Sequence, residues 1–227
     1  MLKVLAVNGS PRKNGNVARL LSAAMEGARE AGGEVELVNL YDLSFKGCVS
    51  CFACKRLPEP APRCVQQDAL TQVLQSAYQA DVLLIGSPIY FAGLSSSLRA
   101  FLERLLYKYP HGEGSSSYKP VGCFYSMNAT EEQAERLNYR TVLWSMEDFL
   151  TRNFQLVETM EAYDTYQFEN YADYRMPVDL ERKTRQKQLQ FPKDLAKARS
   201  LGARLTEAAA ARQQKEEPYG KSEENRR

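Results

Sequence analysis

The chain alternates between two hydrophobic rhythms. Nearly continuous apolar runs occupy 2–8, 34–39, 81–87, 120–126 and 154–160. Such runs are the pattern of strands buried on both faces of a parallel sheet. Between them, apolar residues recur at helical spacing. Val17, Leu20, Leu21, Ala24 and Ala28 form one stripe, and Leu70, Val73, Leu74 and Ala77 a second. Leu98, Phe101, Leu102, Leu105 and Tyr109 form a third. Two more helices are expected over about 131–151 and 193–211, and Gly32-Gly33 closes the first.

Five strands alternating with five helices make a doubly wound α/β domain. The inventory is that of a flavodoxin-like fold, a five-stranded parallel sheet of order 2-1-3-4-5 with helices on both faces. A Rossmann dinucleotide domain would want six strands and a glycine fingerprint, and no G-x-G-x-x-G is present. One domain over 1–212 is expected, with two departures from the repeat. An irregular segment at 43–67 carries cysteines and Pro58, Pro60 and Pro62, and an aromatic, then charged, extension covers 163–189. The polar end, 213–227, reads as a disordered tail.

Charge narrows the partners. Lys and Arg total 30 against 28 Asp and Glu, so nothing favours nucleic acid or an anionic membrane. No apolar stretch approaches a bilayer span, and the run at 1–8 lacks a basic leader and is broken by Gly9-Ser10-Pro11. A cytoplasmic protein is expected.

Two strand-to-helix loops carry the chemistry. Asn8-Gly9-Ser10-Pro11-Arg12-Lys13-Asn14-Gly15-Asn16 precedes the first helix, whose N-terminal N–H groups and partial positive charge suit a phosphate. Ser10, Asn14 and Asn16 can donate hydrogen bonds, Gly15 admits close backbone approach, and Arg12 adds a full charge. It is not a Walker A loop, because no Lys-Ser/Thr pair follows Gly15. The plainer alternative is a polar turn with an Asn cap. The second loop, Ser87-Pro88-Ile89-Tyr90-Phe91-Ala92-Gly93, follows the third strand. In this topology strands one and three meet at the switch point, so both loops flank one crevice. Pro88, Ile89, Tyr90, Phe91 and Gly93 could hold a flat, partly polar ring, or the aromatics could simply pack.

The pair G-S-P-R-K-N-G-N and S-P-I-Y-F-A-G-L-S-S-S-L-R-A-F-L-E-R resembles the NAD(P)H-dependent FMN reductase group of flavodoxin-like proteins, over roughly 2–106. The resemblance implies FMN, with phosphate on Ser10, Arg12, Asn14, Gly15 and Asn16. Its ring would lie on Pro88, Ile89, Tyr90, Phe91 and Gly93. It implies NAD(P)H as transient cosubstrate, a small-molecule or protein electron donor or acceptor, and a homodimer or homotetramer with flavin near the interface. No side chain is expected to be catalytic, since the cofactor performs the chemistry. A flavodoxin-type carrier without turnover and a flavin-free binding module are the alternatives.

Cys48, Cys51, Cys54 and Cys64 crowd one segment as C-x2-C-x2-C followed by a fourth thiol. That opening is the spacing by which a loop wraps a cubane cluster, so a [4Fe–4S] centre is one reading. A redox-active thiol pair, buried thiols without metal and, less naturally, zinc are the others. Within the resembled group the segment is most similar to the iron–sulfur flavoproteins, whose gap to the fourth cysteine is shorter. Cys123 falls in a strand and reads as core. His111, the single histidine, reads as a loop residue, which leaves no catalytic triad. Tyr163, Tyr166, Phe168, Tyr171 and Tyr174 either cover a flavin, build an interface or pack locally. The basic run 181–187 reads as a solvated face.

Overall fold

β1 (Leu2–Asn8) lies inside a parallel sheet, paired with β2 (Gly33–Asn39) on one edge and β3 (Val82–Tyr90) on the other. In this computed structural model, which describes residues 1–56, 64–107, 118–175 and 178–216, two more parallel strands follow. β5 (Val121–Ser126) pairs with β3, and β6 (Val157–Ala162) with β5. A two-residue strand, β4 (Gly93–Leu94), folds back antiparallel on the end of β3. The path is β2-β1-β3-β5-β6, which is the expected 2-1-3-4-5 once the short β4 is set aside. His111 and Pro58, Pro60 and Pro62 lie outside the described residues.

The helices are α1 (Asn16–Glu30), α2 (Leu70–Gln79), α3 (Ser96–Leu106), α4 (Glu131–Arg136), α5 (Tyr139–Phe154), α6 (Leu180–Arg185) and α7 (Phe191–Glu216). Strand alternation sorts them into two layers. Leu5, Val7, Leu83, Ile85, Cys123 and Tyr125 face α2, α3 and α5, while Val4, Ala6, Val82, Leu84 and Phe124 face α1 and α7. Leu5 and Leu83 are essentially inaccessible; burying a side chain of that size is worth about 1.5–3 kcal/mol. α1 and α7 cross at glycines. A Cβ on Gly202 would lie 2.0 Å from the Ala24 carbonyl oxygen, so the backbones touch where no side chain fits.

Four expectations shift. The helix expected over 131–151 breaks, because Leu137 ends α4 and Asn138 adopts a left-handed φ of 56° before α5 starts. The last strand sits three residues later than expected at its start, since the apolar Phe154 ends α5 in the core instead of opening β6. The charged run at 181–187 is not a featureless solvated face: α6 passes through a π turn, 186–190, into α7, and Lys183 is buried. α7 continues through Glu216, so 213–216 are helical, and the remainder of the expected tail, 217–227, lies outside the described residues. Among the described residues, no helix is long and apolar enough to cross a membrane.

Candidate cofactor site

The crevice forms because β1 and β3 end side by side. Gly9 N–H donates to the Gly86 carbonyl at 2.8 Å, and a Cβ on Gly9 would meet Leu98 Cβ at 2.7 Å. Ser95, the N-cap of α3, closes the joint. Its Oγ donates to the Gly9 carbonyl at 2.6 Å, and its N–H donates to Ser87 Oγ at 2.9 Å. The two loops are therefore one rigid unit.

The first loop is built by its own side chains. Asn8 Oδ1 accepts from Ser10 N–H at 3.0 Å, and Ser10 Oγ accepts from Arg12 N–H at 3.1 Å. The Arg12 carbonyl accepts from Gly15 N–H at 3.1 Å. α1 then starts at Asn16 with Gly15 as N-cap, no side-chain cap and no acidic residue in its first turn. Its leading N–H groups thus face the crevice without a protein carboxylate or hydroxyl to satisfy them.

The second loop is more regular than expected. β3 runs on to Tyr90, then Phe91 (φ 50°) and Ala92 (φ 64°) turn the chain back, so that Tyr90 pairs with Gly93. Two left-handed residues between paired strands make a type I′ hairpin turn, which non-glycine residues adopt at a cost. It projects the Phe91 ring wholly into solvent. Tyr90 is half-exposed; burial of its base, with Tyr41 nearby, raises its hydroxyl pKa despite Arg12.

Between these loops lies a cavity of about 630 Å³, inside the 300–1,000 Å³ range of small-molecule sites. Of the residues singled out from sequence, Ser10, Arg12, Asn14, Gly15, Asn16, Pro88, Ile89, Tyr90 and Phe91 line it; Gly93, held in β4, does not. Sequence reasoning offers Tyr166 and Phe168 as residues that could cover a flavin and misses the rest of the other wall. Ser126, Met127 and Asn128 come from the end of β5, and Thr165, Tyr166, Gln167 and Phe168 from the aromatic segment. The C-terminal end of a core strand marked the first group, and the unusual aromatic density marked the second.

That aromatic segment is tied to the first loop. Arg12 Nη1 donates to the Gln167 carbonyl at 2.5 Å, and its guanidinium lies 5.3 Å from the Phe168 ring centroid. Asn16 Nδ2 donates to the Tyr166 carbonyl at 3.0 Å. Tyr171 and Tyr174 pack behind, the latter stacked on Phe168 at 3.8 Å. Two further cations line the cavity over aromatic rings, Lys187 above Tyr166 and Arg19 above Phe191. Glu169 is the carboxylate among its lining residues, against three Arg/Lys side chains, so the cavity suits an anionic ligand.

The cysteine segment lies against α3. Cys54 Sγ approaches the Tyr107 carbonyl at 3.7 Å, and Cys48 Sγ accepts from Ser50 N–H at 3.4 Å. Ser50 (φ 52°) and Phe52 (φ 53°) are both left-handed, a backbone form that turns N–H groups inward as in iron–sulfur sites. Burial raises the Cys54 thiol pKa, and neighbouring Cys48 and Cys64 add to that. Cys51 is exposed, and among the described residues no three of the thiols close into a ready metal-binding group. Cys123 is a core residue, its thiol pushed up to about 12 by burial.

A family described as NADPH-dependent FMN reductase matches residues 2–157. An iron–sulfur flavoprotein of Methanocaldococcus jannaschii is 33% identical over 103 residues, 45% of this chain and 51% of that protein. One from Archaeoglobus fulgidus is 34% identical over 103 residues, 45% and 48% of the two chains. The chain spans about half the length of the curated relatives it matches. An NAD(P)H:quinone oxidoreductase from Methanothermobacter marburgensis shares the fold, with a TM-score of 0.64 at 18% identity, over 90% of this chain and 98% of that one. An azoreductase from Bacillus anthracis does so with a TM-score of 0.61 at 14% identity, over 90% and 100%.

Proposed function

The chain belongs to the NADPH-dependent FMN reductase family, and from that premise we propose that it is an FMN-dependent oxidoreductase. It passes electrons from NAD(P)H, or a reduced carrier, to a quinone, a flavin or a protein acceptor. The observation that carries this reading is the uncapped N-terminus of α1 opening onto the same cavity as the Pro88–Phe91 loop. The residues fit the cofactor. First-turn N–H groups of α1, with Ser10, Asn14, Gly15 and Asn16, would hold the phosphate, and Arg12 would add charge from the side. Pro88, Ile89, Tyr90 and Phe91 would lie along the ring. Gly93 serves it indirectly, by pairing with Tyr90 to set the hairpin.

FMN when bound supplies the hydride and single-electron chemistry itself. The chain's residues bind, orient and shield. Tyr166 and Phe168 exclude water from one side of the cavity, the Ser95–Gly9 joint fixes the spacing of the two loops, and the surplus of cations favours negative charge inside. No side chain is assigned an acid or base role.

Cys48, Cys51, Cys54 and Cys64 would hold a [4Fe–4S] cluster. Four thiols are the donor set such a cluster takes, and the left-handed Ser50 and Phe52 together with the Ser50 N–H to Cys48 contact suit it. The names of the curated relatives support the same reading. A homodimer or homotetramer is part of the proposal. α5 leaves Val142 and Phe149, one heptad apart, exposed, and Phe91 stands free at the cavity rim.

The test is a visible absorbance spectrum of anaerobically purified protein, with iron and acid-labile sulfide quantified. Flavin bands with about four irons per chain are expected. Flavin without iron would overturn the cluster, and a colourless protein that takes up no FMN would overturn the whole reading. Steady-state NAD(P)H oxidation with added quinone separates an oxidoreductase from an electron carrier, which would show almost none.

A further inference from the structure

Lys183 belongs to a basic run, yet its side chain is 1% exposed. Its Nζ pairs with Asp164 Oδ1 at 2.6 Å and donates to Asn128 Oδ1 at 2.9 Å and the Thr165 carbonyl at 3.1 Å. A longer contact, 3.3 Å, reaches the Asn128 carbonyl. Burying an ammonium is costly unless its protons find acceptors. Every acceptor Lys183 finds lies on one of two loops: Asn128 follows β5, and Asp164 and Thr165 follow β6.

Those loop tips are already stitched together. Thr165 Oγ1 donates to the Met127 carbonyl at 3.0 Å and lies 3.1 Å from Ser126 Oγ. Asp164 N–H donates to the Ala129 carbonyl at 2.8 Å, from a left-handed φ of 49° that its surroundings must hold. Ser126, Met127, Asn128 and Thr165 line the cavity, so the ammonium sits directly behind the wall they make. Arg182 pairs with the outer oxygen of Asp164 at 2.8 Å. Two cations against one carboxylate leave this group net positive.

We propose that Lys183 is a positioning residue that locks the β5 and β6 loop tips into one wall of the cofactor cavity and keeps a positive charge behind that wall. The cofactor half of this rests on the FMN reading above; the locking of the loops does not. A fixed positive charge beside the cavity favours whatever ligand state carries more negative charge. Neither helix propensity nor charge pattern marks Lys183 for this role, because its four contacts are brought together by β5, β6 and α6.

The experiment compares wild type, Lys183→Met and the control Arg185→Ala, which removes a neighbouring exposed charge on α6. Amide hydrogen exchange on cofactor-free protein reads the wall directly. The amides of Met127 and of 164–165 are expected to exchange at least tenfold faster in Lys183→Met and unchanged in Arg185→Ala. Fluorescence titration of the same apoproteins with FMN is expected to show at least tenfold weaker binding in Lys183→Met alone, the size of losing a charge-assisted network. The midpoint potential of the bound flavin should move to a more negative value. Unchanged exchange overturns the proposal, and so does unchanged FMN affinity or potential. Wild type that takes up no FMN overturns the FMN reading and with it the cofactor half, while exchange still decides the locking. Should Lys183→Met not fold, Asp164→Asn combined with Lys183→Met removes the brace but keeps the net charge, because Arg182 remains. Faster exchange and weaker FMN binding are then expected with an unchanged potential, and unchanged exchange overturns the proposal.

Discussion

The guanidinium of Arg104 donates to the Asp68 carboxylate at 2.6 Å from a position with no side-chain exposure at all. The same guanidinium donates to the Lys46 and Gln66 carbonyls, both at 3.1 Å, and so holds the two ends of the cysteine segment to α3. Cys64 lies against it. α3 thus runs from the cofactor loops at Ser95 to the cysteine segment at Arg104.

Replacing Arg104 by Met removes three long-range contacts and strands the carbonyls they satisfied. A loss of about 3 kcal/mol is expected, the scale of breaking a buried pair from one side. Chemical denaturation measures it. Trypsin should also cut faster after Lys55 or Arg56, whereas FMN uptake should persist because the cofactor loops are joined at Ser95.

Asp68 makes that brace pH-dependent. Burial by itself would raise its pKa, but Arg104 and the backbone N–H groups of Lys46 and Leu70 outweigh it and hold the carboxyl below its ordinary 3.8. A lowered carboxylate contributes stability that is present above the unfolded value and is lost as pH falls through the folded one. Asp68→Asn should therefore be less stable than wild type at pH 7, and the gap should narrow as pH falls below about 4. Thermal melts from pH 7 down to pH 3 would show this, and a constant gap would count against it.

Ala92 sits at φ 64° in the Phe91-Ala92 turn, a conformation in which a Cβ is penalised by about 1 kcal/mol. Ala92→Gly should raise stability by that amount, about 2–4 °C in Tm for a chain of this size. FMN affinity should not change. A lower Tm would mean that the turn is not held as described.

Arg12→Ala removes the donor to the Gln167 carbonyl and the cation over Phe168. It should weaken FMN binding about tenfold while costing less than about 1 kcal/mol of stability, because Arg12 is exposed and its partners are at the surface. Apoprotein titration and denaturation together test the split.

Gly202→Ala forces a methyl into the Ala24 backbone. Separating two packed helices in a dense core should cost about 3 kcal/mol, the upper range for overpacking. Gly32→Ala, by contrast, meets no neighbour and suffers only its φ of 86°. Comparing the two by denaturation separates steric from conformational cost.

Local rules determined the elements that local rules can reach. The stripe from Val17 to Ala28 and the runs at 2–8 and 81–87 announce which faces must be buried, and Gly32 ends α1 in the left-handed form that glycine adopts without strain. Loops after the first and third strands were legible as neighbours because strand order alone brings them to one crevice, and nine of their ten candidate residues line its cavity. What tertiary structure decided depends on contacts between residues far apart in the chain. Phe154 is as apolar as a strand residue, and only packing assigns it to the end of α5 rather than to β6. Lys183 and Arg104 carry the same charge as their solvated neighbours. Their burial follows from acceptors 18 to 58 residues away, which no local period encodes. The far wall of the cavity has the same origin: Tyr166 and Phe168 reach it because Arg12 and Asn16, some 150 residues earlier, supply the donors that hold their backbone there.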